Sequence, residues 1–310
     1  MHDLDDQLST RLRALADPLD DADWLDVRRR AGRAAPPRRR RLPLPRLVAA
    51  CVAAAAAITA AVQLLPGGHE AGRVPGLDAV AARAAAAPST VPGPGEYAYT
   101  KLRYGIDREA QQCTEEWWIG PDGSGRLIQH GAICARSGDD RRFGPGGALR
   151  RYTGMHGNAF HGDPADLPTE PEPLERALEE TLRGLRDFTP EVLADPVRRS
   201  DAMLDVIAQV LANPFAAPEL RGALYRVAAG LEGMRVEEGV IDPAGRSGSA
   251  ITIEHAVHGS PEKRELIFDP VASATLAERE TYLRPDGRPR TVGALAYLER
   301  GIVGSVGARP

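Results

Sequence analysis

Two histidines and an aspartate share one glycine-rich stretch, "HGNAFHGD", in which His156, His161 and Asp163 carry the atoms a metal ion would need. A closed zinc site takes four committed nitrogen, sulfur or oxygen ligands, and no Cys-x-x-Cys or helical Glu motif supplies a fourth. The stretch therefore reads more simply as surface histidines. "HAVH", with His255 and His258 alternating onto one strand face, is equally thin, and His130 stands alone. The adjacent acids Glu115-Glu116, Asp139-Asp140 and Glu179-Glu180 point apart on a strand or splay on a helix, so they read as solvated charge rather than as an acid/base pair. "GPDGSG" has the glycines of a phosphate cradle but joins two strands, without a following helix to supply a dipole. No Ser-His-Asp signature, Gly-x-Ser-x-Gly, P-loop or dinucleotide fingerprint occurs. An enzyme is not expected, and no cofactor or metal is called for.

Cys113 and Cys134 are the pair with a definite expected chemistry. "CTEEWWIG" and "GRLIQHGAIC" read as strands separated by "PDGS", a hairpin signal. If Gly123-Ser124 is a two-residue loop, the two cysteines face each other across the strands, close enough for a disulfide. A shift of one residue would leave two thiols. Trp117 and Trp118 in the same strand must point to opposite faces, one into the core and the other exposed or in a ligand groove.

The compartment that would oxidise those cysteines is set by "RRRRLPLPRLVAACVAAAAAITAAVQLLPGG", Arg38 to Gly68. Leu47–Leu65 would rise about 28 Å as a helix, close to the hydrocarbon thickness of a bilayer. Arg38, Arg39, Arg40, Arg41 and Arg46 border it on the N-terminal side, behind Arg28, Arg29, Arg30 and Arg33. That excess predicts an inside N-terminus and an outside C-terminal domain. The leader is long and the apolar core exceeds a cleaved signal's 7–15 residues. "VAAC" resembles a lipoprotein box at Cys51, but the apolar residues follow the cysteine instead of preceding it. A buried core helix would seldom carry such an arginine leader. A signal-anchor in the cell membrane is expected, with the bilayer as one partner.

Residues 1–45 would form a cytoplasmic helical tail, 46–66 the transmembrane helix, 67–95 a linker with one short helix ("LDAVAARAAAAP"), and 96–310 an extracytoplasmic α+β domain. In the tail, Leu4, Leu8, Leu12 and Leu15 make a helical stripe, and "DDADWLDVRRRAGRAA", with Trp24, is a second short helix. Two such helices bury little by themselves. They serve either as a membrane-proximal tail that only fixes topology or as a partner-docking module, with Leu8, Leu12, Leu15 and Trp24 as the contact residues. Net charge is −4 in 310 residues, and only Lys101 and Lys263 are lysines; no basic field argues for nucleic acid.

In the outer domain, "EYAYTKLRY" alternates as a strand, and residues 138–173 read as a long Gly/Pro/Asp-rich loop region. "EPLERALEETLRGL", "SDAMLDVIAQVLANP" and "PELRGALYRVAAGL" follow as helices; Met203, Val206, Ile207, Val210 and Leu211 make one apolar face. "MRVEEGVI", "SGSAITIEH", "KRELIFD", "ATLAERETYL" and "TVGALAYLERGIVGSVG" return to strand. The order is β, then α, then β.

"LPTEPEPLERAL" (Leu167 to Leu178), "LRGALYRVAAGLEGMRV" (Leu220 to Val236) and "RELIFDPVASATLAER" (Arg264 to Arg279), with the tail, span and linker before them, resemble an uncharacterised actinobacterial family of single-pass membrane proteins. Members are often encoded beside alternative sigma factors. The closing strand–"DP"–strand element also resembles the lipoprotein-carrier and periplasmic sigma-regulator fold, a curved antiparallel sheet forming a half-open barrel packed with helices. That second resemblance implies a surface for an acyl chain or a partner peptide. The His…Cys-x-x-Cys pattern of zinc anti-sigma domains is absent from residues 1–45. Together these imply a non-enzymatic extracytoplasmic binding or sensor protein, with a cytoplasmic sigma factor and a lipid or envelope protein as candidate partners. The alternative is an envelope lipid or lipoprotein carrier, or a structural factor, whose tail is purely topological.

Overall fold

Four helices in the middle of the chain begin in the same way, with proline at the first helical position, where its missing N–H costs nothing and its fixed φ suits the helix. They are α2 (Pro171–Arg183), α3 (Pro190–Ala194), α4 (Pro196–Ala212) and α5 (Pro218–Gly230). Asp195 caps α4 by accepting from the amides of Val197 and Arg198, and Thr189 caps α3 through the amide of Val192. An earlier helix, α1 (Leu77–Ala86), precedes the first strand. The computed structural model describes residues 76–105, 112–131, 134, 138–146, 160, 162–185, 188–257, 260–283 and 288–310. The calls on Leu8, Leu12, Leu15, Trp24, the five boundary arginines and the apolar span all lie outside these residues. Among the described residues, no helix is long and apolar enough to cross a membrane.

The strands are β1 (Tyr97–Gly105), β2 (Gln112–Ile119), β3 (Gly125–His130), β4 (Asp140–Phe143), β5 (Arg235–Ile241), β6 (Ser247–Val257), β7 (Ser260–Phe268), β8 (Thr275–Leu283) and β9 (Pro289–Val303). They make one open sheet in the order β4-β3-β2-β1-β9-β8-β7-β6-β5, every neighbouring pair antiparallel. In the sheet the two meanders, β1–β4 and β5–β8, are joined through β9. The α+β expectation holds as one open antiparallel nine-stranded sheet packed with helices. Within the stretch read as loop, β4 and a 3-10 turn at Pro164–Asp166 appear. "DRRF" has no apolar alternation because it is a charged edge strand with little to bury.

One sheet face carries the helices. Leu174, Leu178, Met203, Val206, Ile207, Val210 and Leu224 are 0% exposed, and they pack over Ile251, Ile253, Leu266 and Phe268 of β6 and β7. Each such side chain contributes roughly 1.5–3 kcal/mol through removal from water. The C-terminal end of α4 reaches the other meander, where Ala212 and Phe215 join Leu102, Trp117, Ile119, Leu127, Leu295 and Tyr297. Helix α1 lies against α5 at Gly222, where a Cβ would come within 2.8 Å of the Ala81 carbonyl oxygen and 2.7 Å of the Ala85 Cβ. The turn between β7 and β8 is tied to both helices: Ser273 Oγ donates to Val80 O at 3.1 Å, and Tyr225 Oη donates to Ser273 O at 3.1 Å.

The outer face is closed by residues 304–310. Trp118 and Tyr99 lie 5.2 Å apart, ring to ring, beneath Val306 and Ala308. Trp118 Nε1 donates to Ala308 O at 2.6 Å, and Arg309 makes a two-pronged contact with Glu116 at 2.8 and 3.0 Å. The tryptophans do point to opposite faces, but neither is left for a groove: Trp117 is 4% and Trp118 1% exposed. The structure thus gives each face of the sheet its own cover, which a two-state choice between core and surface omitted.

The β2–β3 hairpin corrects the expected register. Ile119 faces Gly125 and Thr114 faces His130, so the loop is longer than Gly123-Ser124 and is closed by the Gly120 amide on Ser124 O at 2.8 Å. Cys113 consequently lies beside Gly131, not opposite Cys134. The chain turns at Gly131 (φ +134), where a Cβ would sit 2.2 Å from Gln112 O. That turn returns Cys134 to Cys113, and the disulfide forms with a Cα–Cα distance of 5.0 Å. The bond is as expected; the route to it is different. Replacing both cysteines by alanine is expected to lower unfolding free energy by about 3 kcal/mol in the chain-entropy picture, read by urea titration under oxidising conditions.

Candidate functional site

Strands β7 and β8 present alternate residues to the helices, and next to α4 these are charged instead of apolar. The register sets Glu262 opposite Tyr282, Arg264 opposite Glu280 and Leu266 opposite Glu278. From above, α4 contributes Asp201 and Asp205, one turn apart, on the edge of its apolar face. Arg264 binds both: Nε donates to Asp201 Oδ1 at 2.7 Å and Nη1 to Asp205 Oδ1 at 3.2 Å. Burial alone would lower its pKa, but the Asp205 and Asp201 carboxylates outweigh that and hold it charged. His255 on β6 brings Nε2 to 4.0 Å from Asp201 Oδ2. Gln209, one turn beyond Asp205, donates to Asp205 Oδ2 at 3.2 Å and accepts from the Phe160 amide at 3.2 Å.

Glu262 is 4% exposed and shares a hydrogen bond with Glu280. Burial, then that second carboxylate, pushes its carboxyl up to about 8. The neighbouring Tyr282 hydroxyl is pushed well above its ordinary value, first by burial and then by Glu262 and Glu280. At neutral pH the pair therefore holds one proton. A small, partly open cleft beside it has a volume of about 20 Å³ and is lined by Leu204, Asp205, Ala208, Arg264, Glu280 and Gly293. That is room for about one water molecule. The arrangement can lock α4 to the sheet through Arg264 and can take up or release one proton.

The proton has a thermodynamic sign. Glu262 titrates near 4.3 when unfolded and near 8 when folded, so the folded chain holds a proton the unfolded chain has lost between those values. Stability is expected to fall as pH rises through that window, with a slope approaching 1.4 kcal/mol per pH unit. In Glu262→Gln the slope should flatten. Urea midpoints across pH 5 to 9, compared between the two proteins, check it.

The sequence reading placed chemistry elsewhere. Asp163 caps the 3-10 turn by accepting from the Ala165 amide, which commits one of its oxygens locally; His156 and His161 lie outside the described residues, as does His258. Among the described residues no group of three His, Cys, Asp or Glu side chains is set to hold a metal. The reading of Glu115 and Glu116 as solvated charge is overturned: they are 1% and 6% exposed. Glu115 accepts from Trp117 Nε1 at 2.9 Å and from Gln129 Nε2, while burial still raises its carboxyl above the usual range. Glu116 is held below that range, because Arg309 and Tyr99 together outweigh its burial. The pairs Asp139-Asp140 and Glu179-Glu180 remain peripheral: Asp140 meets Arg126 at 2.6 Å, Asp139 meets Arg141 at 3.1 Å and Glu179 meets Arg183 at 2.8 Å. Glu262, Arg264 and Glu280 went unread in the sequence, because "EKRE" (Glu262 to Glu265) and "ERE" (Glu278 to Glu280) are unbroken runs of charge with no apolar alternation to mark the inner face.

No family model matches the chain, and no curated protein matches its sequence. Among solved structures, a chain of the Pseudomonas aeruginosa MucA/MucB complex is similar with a TM-score of 0.27 and 16% identity, over 76% of this chain and 58% of that one. The chain thus spans somewhat over half the length of the structure it matches.

Proposed function

We propose that this chain is a membrane-anchored, non-enzymatic extracytoplasmic binding protein that engages a protein partner on the outer side and a cytoplasmic partner, of the sigma-factor type, through residues 1–45. The observation that carries the choice between this and a lipid carrier is the helical filling of the sheet. Leu178, Leu204, Ile207 and Leu224 are fully buried, and the face that would receive an acyl chain is occupied by the protein's own α2, α4 and α5. A carrier needs hundreds of cubic ångströms of apolar space; the partly open charged cleft holds about 20 Å³. The arginine-bordered apolar segment supports the anchor. The leucine stripe, too small to form a core, supports a docking role for the tail.

The test is recovery of the full chain from native membranes in mild detergent, beside a chain lacking residues 1–43 and a full chain with Leu8, Leu12 and Leu15 changed to serine. A cytoplasmic protein retained by the full chain and lost from both variants is the expected result. Recovery of the same envelope proteins with all three baits would make the tail purely topological. Co-purified lipid at one acyl chain per protein would instead favour the carrier.

A further inference from the structure

Residues 304–310 lie on the outer sheet face as a bound peptide would. Facing residues of β9, β1, β2 and β3 make one row there: Gly301 opposite Tyr99, Tyr99 opposite Trp118, and Trp118 opposite Arg126. Both aromatic side chains are 1% exposed, and the Arg126 guanidinium carbon stands 5.8 Å from the Trp118 ring centroid. Gly301 leaves a notch at one end of the row, and Pro310 fills it: a Cβ at Gly301 would come within 2.7 Å of Pro310 Cγ. Val306 and Ala308 pack against the ring cluster. Trp118 Nε1 donates to Ala308 O at 2.6 Å. Arg309 donates to Glu116 from Nε at 2.8 Å and from Nη2 at 3.0 Å, and Tyr99 Oη donates to the same carboxylate at 2.8 Å. Each residue from 308 to 310 thus has its own receptor on the sheet: an indole donor, a carboxylate and a notch.

The floor is firmly built and its cover is weakly held. Glu116 is 6% exposed, whereas no residue of 304–310 is buried and the Arg309 side chain keeps 57% exposure. The segment forms neither helix nor strand. An exposed ion pair is a weak tie, and a short segment with few buried contacts opens locally at low cost. Once it lifts, two aromatic rings face water beside a carboxylate that has lost its guanidinium. Such a surface accepts another segment of the same chemistry. We infer that this row is a peptide-docking site occupied in the free protein by residues 304–310, and that the outer-side partner displaces them with an extended segment carrying a small residue, arginine and proline in that order. This names the chemistry of the outer-side protein partner proposed above and rests on that reading. Arginine is required because its planar fork matches the Glu116 carboxylate with two bonds, which a lysine ammonium does not reproduce.

The probe is a dye-labelled peptide of the chain's own sequence, "GSVGARP" (Gly304 to Pro310), read by fluorescence anisotropy against the full chain in an uncharged detergent. Wild type should bind it weakly, because the tethered copy competes at a high effective concentration. Arg309→Ala in the chain loosens that copy and should bind the peptide at least about tenfold more tightly. A chain ending at Val303 should bind it at least as well, and carries the comparison if the alanine variant folds poorly. A peptide carrying Arg309→Ala or Arg309→Lys should bind the opened chains about tenfold less well. No saturable binding to either opened chain, or equal binding of the alanine peptide, would overturn the assignment. If the full chain runs as two copies and Arg309→Ala returns it to one, the site belongs to a second copy's residues 304–310, and the partner assignment falls. Excess free peptide added during recovery from native membranes should release the outer-side partner. A partner that stays bound would overturn the assignment while leaving the outer-side reading in place. Peptide binding as expected, with no envelope protein recovered by the full chain, would uphold the site and count against that reading instead.

Discussion

Trp117→Ala is expected to lower the unfolding free energy by about 4 kcal/mol, among the largest effects of any single change outside the helices. Two losses coincide at this side chain. Its ring fills the apolar layer with Leu102, Ile119, Leu127 and Phe215, and the helices above cannot collapse into the space it would leave. Its Nε1 also donates to Glu115 Oε2 at 2.9 Å, so its removal leaves a buried carboxylate one donor short. Trp117→Phe separates the two losses. Most of the volume stays, the donor goes, and a loss of about 1–2 kcal/mol should remain. The Glu115 carboxyl, already raised by burial, would rise further without that donor. A carboxyl raised in the folded state loses stability as pH climbs above its unfolded value near 4.3, so the phenylalanine variant should fall further behind wild type as pH rises above that value. Urea unfolding of the three proteins at two pH values reads both parts.

Arg264→Leu is expected to cost about 3 kcal/mol, at the low end for a broken buried ion pair because the arginine side chain keeps 24% exposure. Its guanidinium is shared by Asp201 and Asp205 on α4, so its loss leaves two poorly solvated carboxylates facing the Glu262–Glu280 pair. Glu262 would then bind its proton still more tightly, since Arg264 is the charge that now holds its pKa down. The pH at which stability levels off should therefore move upward in the variant. Adding Asp201→Asn to Arg264→Leu should recover part of the loss, and the double-mutant cycle measures the coupling directly. Arg264→Lys should recover less than half, because a single ammonium cannot span Asp201 and Asp205 at 2.7 and 3.2 Å together.

How far the sequence could be read follows from which signals were local. The apolar stripe of α4 and the "DP" turn placed helices and strands well, since each is decided within a few residues. The start of α4 was set at Ser200 because the apolar period begins there. The helix begins at Pro196, where an Asp-Pro cap serves as well as any hydrophobic residue. The disulfide was legible from the cysteine count, whereas its geometry depended on a turn at Gly131 that only backbone crowding dictates. The burial of Glu115 and Glu116 was not legible at all. Their partners Gln129 and Arg309 come from another strand and from residues 304–310, and no local pattern announces such pairing. The charged cleft was hidden for the same reason, because Asp201 and Arg264 meet across 63 positions of sequence.

The position of β9 has a kinetic corollary. This strand follows all the others in sequence yet lies at the centre of the sheet, between β1 and β8. Until it is made and threaded into place, the nascent chain holds two unjoined meanders, each with a bare inner edge lined by Tyr99 and Leu102 or by Ala277. Pairings such as Tyr97 with Val303 span most of the domain, and loops of that length close slowly. Maturation should thus be a late, all-or-none event that leaves adhesive intermediates exposed while it waits. Holdase chaperones that mask open strand edges should raise the yield more than any single stabilising substitution.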